Sequence, residues 1–134
     1  MEIKPYLTFN GNAEEALNFY ATCFNAEILG INRYDTAPME LPAGYENKVL
    51  HAELKIGEQS ILCCDTMPGN AFMEGNNFSL SVDYPQIMEL EVLFAKLAEG
   101  GKVEMPLQDT FWGARFGMLQ DKFGIRWMLN CDLN

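Results

Sequence analysis

The chain has 134 residues, 49% hydrophobic and 21% charged, and its 19 acidic against 9 basic residues give a formal charge of −10. That length suits one compact domain, or two half-domains sharing a core, since about 65 residues alone bury little surface. The acidity argues against nucleic acid and anionic membrane as partners, because both repel it, and no apolar run is long enough to span a bilayer.

Residues 3–9 read as a first strand, closed by Asn10-Gly11-Asn12. Asn12 with Glu15 three residues on has the form of a capping box. Ala13, Ala16, Leu17, Tyr20, Cys23 and Phe24 then recur at helical spacing, which predicts a helix over 13–24 with one buried face. A strand follows at 27–34. The stretch 35–47, DTAPMELPAGYEN, has two prolines, a glycine and no periodicity, so it reads as a long loop. Loops of that length in small domains often serve as lids or binding loops, and Met39 and Tyr45 are its candidates for capping a ligand or meeting a second subunit. In 49–57, VLHAELKIG, Leu50, Ala52, Leu54 and Ile56 alternate with His51, Glu53 and Lys55, the period of a strand with one apolar face. Gly57-Glu58 turns the chain into a strand at 59–65.

After a connector at 67–76 the pattern restarts. Residues 77–83 form a strand, Pro85 sits in the first turn of a helix running to Glu99, and Gly100-Gly101 ends it. Ile87, Leu90, Phe94, Leu97 and Ala98 mark its inner face. Strands at 102–108, 112–119 and 125–130 complete the chain. Asp121-Lys122-Phe123-Gly124 is the last turn, with Gly124 at a place requiring positive φ. Gly113 and Gly117 suggest bulges or close passage of another backbone. The order strand, helix, three strands thus occurs twice. The expected fold is α+β: two βαβββ modules, 1–66 and 77–134, forming a curved mixed or antiparallel sheet around a groove, with helices outside.

The opening MEIKPYLTF has no basic region followed by an apolar run, so no signal peptide is expected. Cys23, Cys63, Cys64 and Cys131 are read as reduced thiols, and the expected location is the cytoplasm.

The stretches Pro5–Phe24, His51–Asp65, Asn77–Gly101 and Val103–Asn130, and above all 111-FWGARFGMLQDKFGIRW-127, resemble the glyoxalase/bleomycin-resistance/extradiol-dioxygenase superfamily, or vicinal oxygen chelate fold. Within it the chain is most similar to the PhnB-like subgroup, once labelled 3-demethylubiquinone methyltransferase-like. No glycine-rich loop of the GxGxxG kind follows a strand, so the label brings no cofactor expectation. The resemblance implies that catalytic members hold one divalent metal through His, Glu or Gln on the first and last strands of each module. Here those places offer Pro5, Leu7 or Phe9, then Ile61 to Cys64 and Asp65, then Asn77, Ser79 or Ser81, and finally Met128 where a Glu is expected. No metal and no cofactor is therefore expected. The resemblance also implies a homodimer.

Seven residues are candidates for lining the groove: His51, Glu53, Cys63, Asn77, Trp112, Arg115 and Met128. His51 is the single histidine and can serve as ligand or base. Cys63 is a candidate thiol, Trp112 an apolar wall, and Arg115 a partner for an anionic or carbonyl group. Arg115 has a competing role in cross-strand pairing with a carboxylate. The reading from sequence is a small-molecule-binding protein. Its alternative is a metal-dependent lyase, isomerase or dioxygenase with ligands from His51, Glu53, Asp65 or Asp109, or from a partner subunit.

Overall fold

The computed structural model describes residues 1–133. The chain divides into two compact units, Met1–Met73 and Glu74–Asn134. The first contains β1 (Tyr6–Phe9), α1 (Ala13–Phe24), β2 (Glu27–Arg33), β3 (Val49–Ile56) and β4 (Gln59–Asp65). The second contains β5 (Leu80–Asp83), α2 (Ile87–Ala98), β6 (Lys102–Asp109), β7 (Ala114–Gln120) and β8 (Arg126–Asp132). Each unit is one four-stranded mixed sheet with one helix. The strand orders are β1-β4-β3-β2 and β5-β8-β7-β6, and the first strand of each unit runs parallel to its last. The two βαβββ units and the α+β class follow the sequence reading.

Burial explains the elements. Helix α1 turns Ala13, Ala16, Leu17, Tyr20 and Cys23 inward and packs on β2, β3 and β4. Leu7, Phe9, Ala52, Leu54, Ile61 and Cys63 are the sheet's buried side chains on that side. Helix α2 buries Leu90, Leu93, Phe94 and Leu97. Leu93 joins a face that the sequence reading assigned to Ile87, Leu90, Phe94, Leu97 and Ala98, of which Ile87 and Ala98 are only partly covered. Pro85 precedes the helix instead of lying in its first turn, and Gln86 is the N-cap.

The capping box at Asn12 does not form: the Asn12 side chain makes no capping hydrogen bond. Asp65 takes that role from the end of β4. Its Oδ1 accepts from Ala13 N at 2.9 Å, and its Oδ2 accepts from Val49 N at 2.8 Å. One buried carboxylate thus satisfies a helix N-terminus and the first residue of β3. The last hairpin is built the same way. Asp121, 3% exposed, accepts from Phe123 N, Ile125 N and Trp127 Nε1 at 2.8, 3.0 and 2.8 Å. Gly124 has φ +91 there, as the turn demands.

The loop after β2 is pinned at both ends. It contains two single turns, Tyr34–Thr36 and Tyr45–Asn47. Tyr34 donates to Asp65 O at 2.8 Å and Tyr45 to Thr66 O, and the two rings meet edge to face at 4.9 Å. Arg33 grips Glu14 with two bonds of 2.8 and 3.0 Å and donates to Asn47 O at 2.8 Å. That guanidinium holds the Glu14 carboxyl below its ordinary value. The Tyr45 hydroxyl is therefore engaged in holding the loop.

Candidate functional site

In each sheet, strand alternation sends one set of side chains towards the helix and the other to the opposite, open face. In the first unit β4 is central, flanked by β1 and β3. Register places Tyr6 beside Leu62 and Thr8 beside Cys64 on one flank, and Glu53 opposite Leu62 on the other. The open face therefore carries Tyr6, Thr8, His51, Glu53, Leu62 and Cys64. Tyr6 and His51 stand on strands about 10 Å apart, two sheet spacings. Even so, the Tyr6 hydroxyl lies 3.1 Å from His51 Nδ1, with the rings tilted at a centroid distance of 5.7 Å. The tyrosine thus reaches across β4. Thr8 Oγ1 lies 4.0 Å from Cys64 Sγ. Burial, then the neighbouring Cys64, pushes the Tyr6 phenol far above its ordinary value, so it stays protonated. Glu53 is engaged separately and accepts from Ser60 Oγ at 2.6 Å.

The open face of the second sheet is softer. Ser81, Met128 and Met118 stand in one cross-strand row, with Met105 beyond Met118 on β6. Phe116 and Asn130 form the next pair on the same face. Trp112 packs against Phe116 at 5.8 Å and against Phe111 at 5.1 Å, both edge to face. Methionines and aromatics of this kind make an adaptable apolar surface.

The seven candidates separate on this frame. His51, Glu53 and Met128 lie on open faces, and Trp112 lies beside one, in the turn before β7 and not in the strand itself. Cys63 does not: it is 2% exposed on the helix side, and burial, with Cys64 and Asp65 nearby, pushes its thiol up to about 12. The open-face thiol is its neighbour Cys64. Asn77 precedes β5, which starts only at Leu80, and is exposed off the sheet. Arg115 shares the helix-side row with Cys131 and is held by Glu91 of α2 at 2.7 Å and Asp109 at 2.8 Å. It is a structural clasp, the competing role read from the sequence. Of the expected ligand places on β1, Leu7 and Phe9 face the helix, and Tyr6 and Thr8 take the open side. Asp65 and Asp109, the carboxylates of the metal alternative, are both committed, one to backbone N–H groups and the other to Arg115.

Residues 1–130 match the family described as 3-demethylubiquinone-9 3-methyltransferase. The chain belongs to that family. It is similar to the protein YjdN of Escherichia coli K12, 36% identical over 97% of this chain and 95% of that one. Two solved structures are also similar across nearly their whole length. PA1353 of Pseudomonas aeruginosa is 37% identical, covers 100% of this chain and 99% of its own, and has a TM-score of 0.90. A PhnB protein from Bacillus cereus is 36% identical, covers 98% and 99%, and has a TM-score of 0.84. A glyoxalase-related enzyme from Fulvimarina pelagi shares the fold, with a TM-score of 0.68 at 15% identity over 98% and 89%.

Family membership sets a test of metal fit. On the strands that the resemblance makes ligand-bearing, this PhnB-like chain presents Tyr6, Thr8, Leu62, Cys64, Ser81, Asp83, Met128 and Asn130 on the open faces. Hydroxyls, a thioether, one thiol, an amide and a single carboxylate that accepts from Asn130 do not make the oxygen and nitrogen set that zinc, manganese or nickel prefers. Among the described residues, His, Cys, Asp and Glu nowhere gather in threes. The residues do not fit the metal of the superfamily's catalytic members.

Proposed function

We propose that this protein binds a small, largely uncharged organic molecule over the open sheet faces, without a metal held by imidazole and carboxylate ligands. The observation that carries the reading is the make-up of the open faces. The first unit supplies hydrogen-bonding groups, Tyr6, Thr8, His51 and Cys64, beside Leu62. The second supplies Met118, Met128 and Phe116. Arg115, the cation that sequence placed near a ligand, is bound to two carboxylates, and Arg126, on the Met128 side of β8, is paired with Glu104. We take the chain to be a single domain made of two modules and the protein to be a homodimer. Small size, exposed sheet edges and the exposed Phe78, Phe111 and Trp112 support that assembly.

Two measurements on protein purified without chelator test the reading. Elemental analysis is expected to find transition metal far below one equivalent. Ligand-observed NMR against a set of neutral carbonyl compounds and amides is expected to find binders weakened by Tyr6→Phe or Met128→Lys. Near-stoichiometric zinc, iron, manganese or nickel would refute the metal-free reading, and a set with no binder at all would refute the binding one.

A further inference from the structure

We infer that Arg126 anchors the carbonyl oxygen of a neutral ligand through the guanidinium edge that its ion pair leaves unused. The inference rests on the binding function proposed above and names the group that the ligand presents. Arg126 alternates along β8 with the buried Trp127, Leu129 and Cys131, so its side chain belongs to the open face with Met128. Glu104 stands on β6, and β7 lies between the two strands. The guanidinium therefore crosses β7, a span of two sheet spacings, about 10 Å. It meets Glu104 through one nitrogen only: Nη1 donates to Oε1 at 2.9 Å and to Oε2 at 3.1 Å. Nε is sheltered from water and has no partner, the one such buried side-chain nitrogen or oxygen among the described residues.

A buried N–H without an acceptor is a cost that native structures seldom carry. Arg115, by contrast, gives its Nε to Asp109 at 2.8 Å. Gln120 stands directly opposite Arg126, but its amide is engaged elsewhere, Nε2 donating to Gly124 O at 3.3 Å. A lysine would serve the Glu104 contact as well, since that contact uses a single nitrogen. What arginine adds is the planar edge of Nε and Nη2, whose two N–H groups point the same way and can share one acceptor oxygen. The side chain as a whole is 24% exposed, so a ligand on the open face can reach that edge. Beside it, Met128, Met118 and Met105 offer adaptable contact for the ligand's apolar body. The acceptor is neutral because Glu104 already balances the guanidinium. A carboxylate would add a second negative charge beside Glu104, in a chain whose formal charge is −10. An amide carbonyl meets both conditions.

The probe is benzamide, added to the intact ¹⁵N-labelled protein. The chain has three arginines, Arg33, Arg115 and Arg126, so the Nε–H region of a proton–nitrogen correlation spectrum is simple, and Arg126→Lys identifies the signal in question. Benzamide should move the Arg126 signal and leave the other two in place. Arg126→Lys should weaken benzamide about tenfold or more, the loss of a charge-assisted hydrogen bond. Benzoate, the same ring with a charged acceptor, should bind the parent protein less tightly than benzamide. Glu104→Gln should reverse that preference, because it removes the balancing charge. Backbone amide signals that stay in place away from the second sheet show that each variant folds. Benzamide binding that leaves the Arg126 Nε signal unmoved, or that Arg126→Lys does not weaken, overturns the inference and leaves the proposed binding function standing. Tighter binding of benzoate than of benzamide to the parent protein also overturns it. So does a complete lack of benzamide binding, while the wider compound set above decides the binding function itself.

Discussion

At the scale of single residues, two buried groups decide stability for different reasons. Asp65 is 1% exposed and gives each carboxylate oxygen to a buried backbone N–H. Asp65→Ala leaves both donors unsatisfied, at about 1–3 kcal/mol each, and removes a negative charge from the α1 N-terminus. A loss of about 3 kcal/mol or more is expected in urea unfolding, with Asp65→Asn intermediate because one acceptor survives. An Asp65→Ala variant as stable as the parent would remove this carboxylate from its role. Cys63 and Tyr34 act through pH. Burial raises the Cys63 thiol from 9.0 to about 12 and the Tyr34 phenol from 10.0 to about 12. The unfolded chain therefore releases both protons at lower pH than the folded one. Their contribution is complete below 9.0 and is lost progressively as pH climbs towards about 12. Unfolding midpoints measured across that range should fall, and Cys63→Ala should flatten the fall while lowering stability at neutral pH.

Elements come next, and here the sequence was legible to different depths. Helix α1 was read to the residue because Ala13, Ala16, Leu17, Tyr20 and Cys23 repeat cleanly. The hairpin glycines Gly57 and Gly124 both adopt positive φ. Which face of β1 is open could not be read, because PYLTF puts Tyr, Leu and Phe on both sides and shows no alternation. Two adjacent cysteines hid the choice between Cys63 and Cys64 in the same way. The Asp65 cap and the Arg115 clasp lay beyond reach for another reason: their partners Ala13 and Glu91 are 52 and 24 residues away. Gly117 shows both sides of the matter. Its strand position suggested a close approach, and a Cβ there would stand 2.8 Å from Phe94 Cε2 of α2 and 3.0 Å from Met105 O. Gly117→Ala must push the helix or β6 outward and should cost about 1–3 kcal/mol. Truncating the facing ring in Gly117→Ala/Phe94→Leu should cost less than the sum of the two single changes. Strict additivity would contradict direct contact.

For the whole molecule, charge sets the conditions of assembly. Two copies, each with a formal charge of −10, repel at long range. A contact between them therefore favours an uncharged patch, and the turn Thr110-Phe111-Trp112-Gly113 is one. Phe111 is 98% and Trp112 57% exposed, far more than a single solvated surface residue needs. No helix among the described residues is long and apolar enough to cross a membrane, so a transmembrane helix does not account for these aromatics. Salt shortens the reach of the repulsion, with a screening length of about 10 Å at 0.1 M and about 3 Å at 1 M, and leaves apolar contact intact. If the proposed homodimer uses this turn, sedimentation equilibrium should show tighter association as sodium chloride rises, the opposite of an assembly held by ion pairs. Phe111→Ser with Trp112→Ser should shift the protein towards its 15.1 kDa monomer at every salt concentration. A dimer that loosens with salt, or that keeps its affinity without both aromatics, would place the contact elsewhere on the surface.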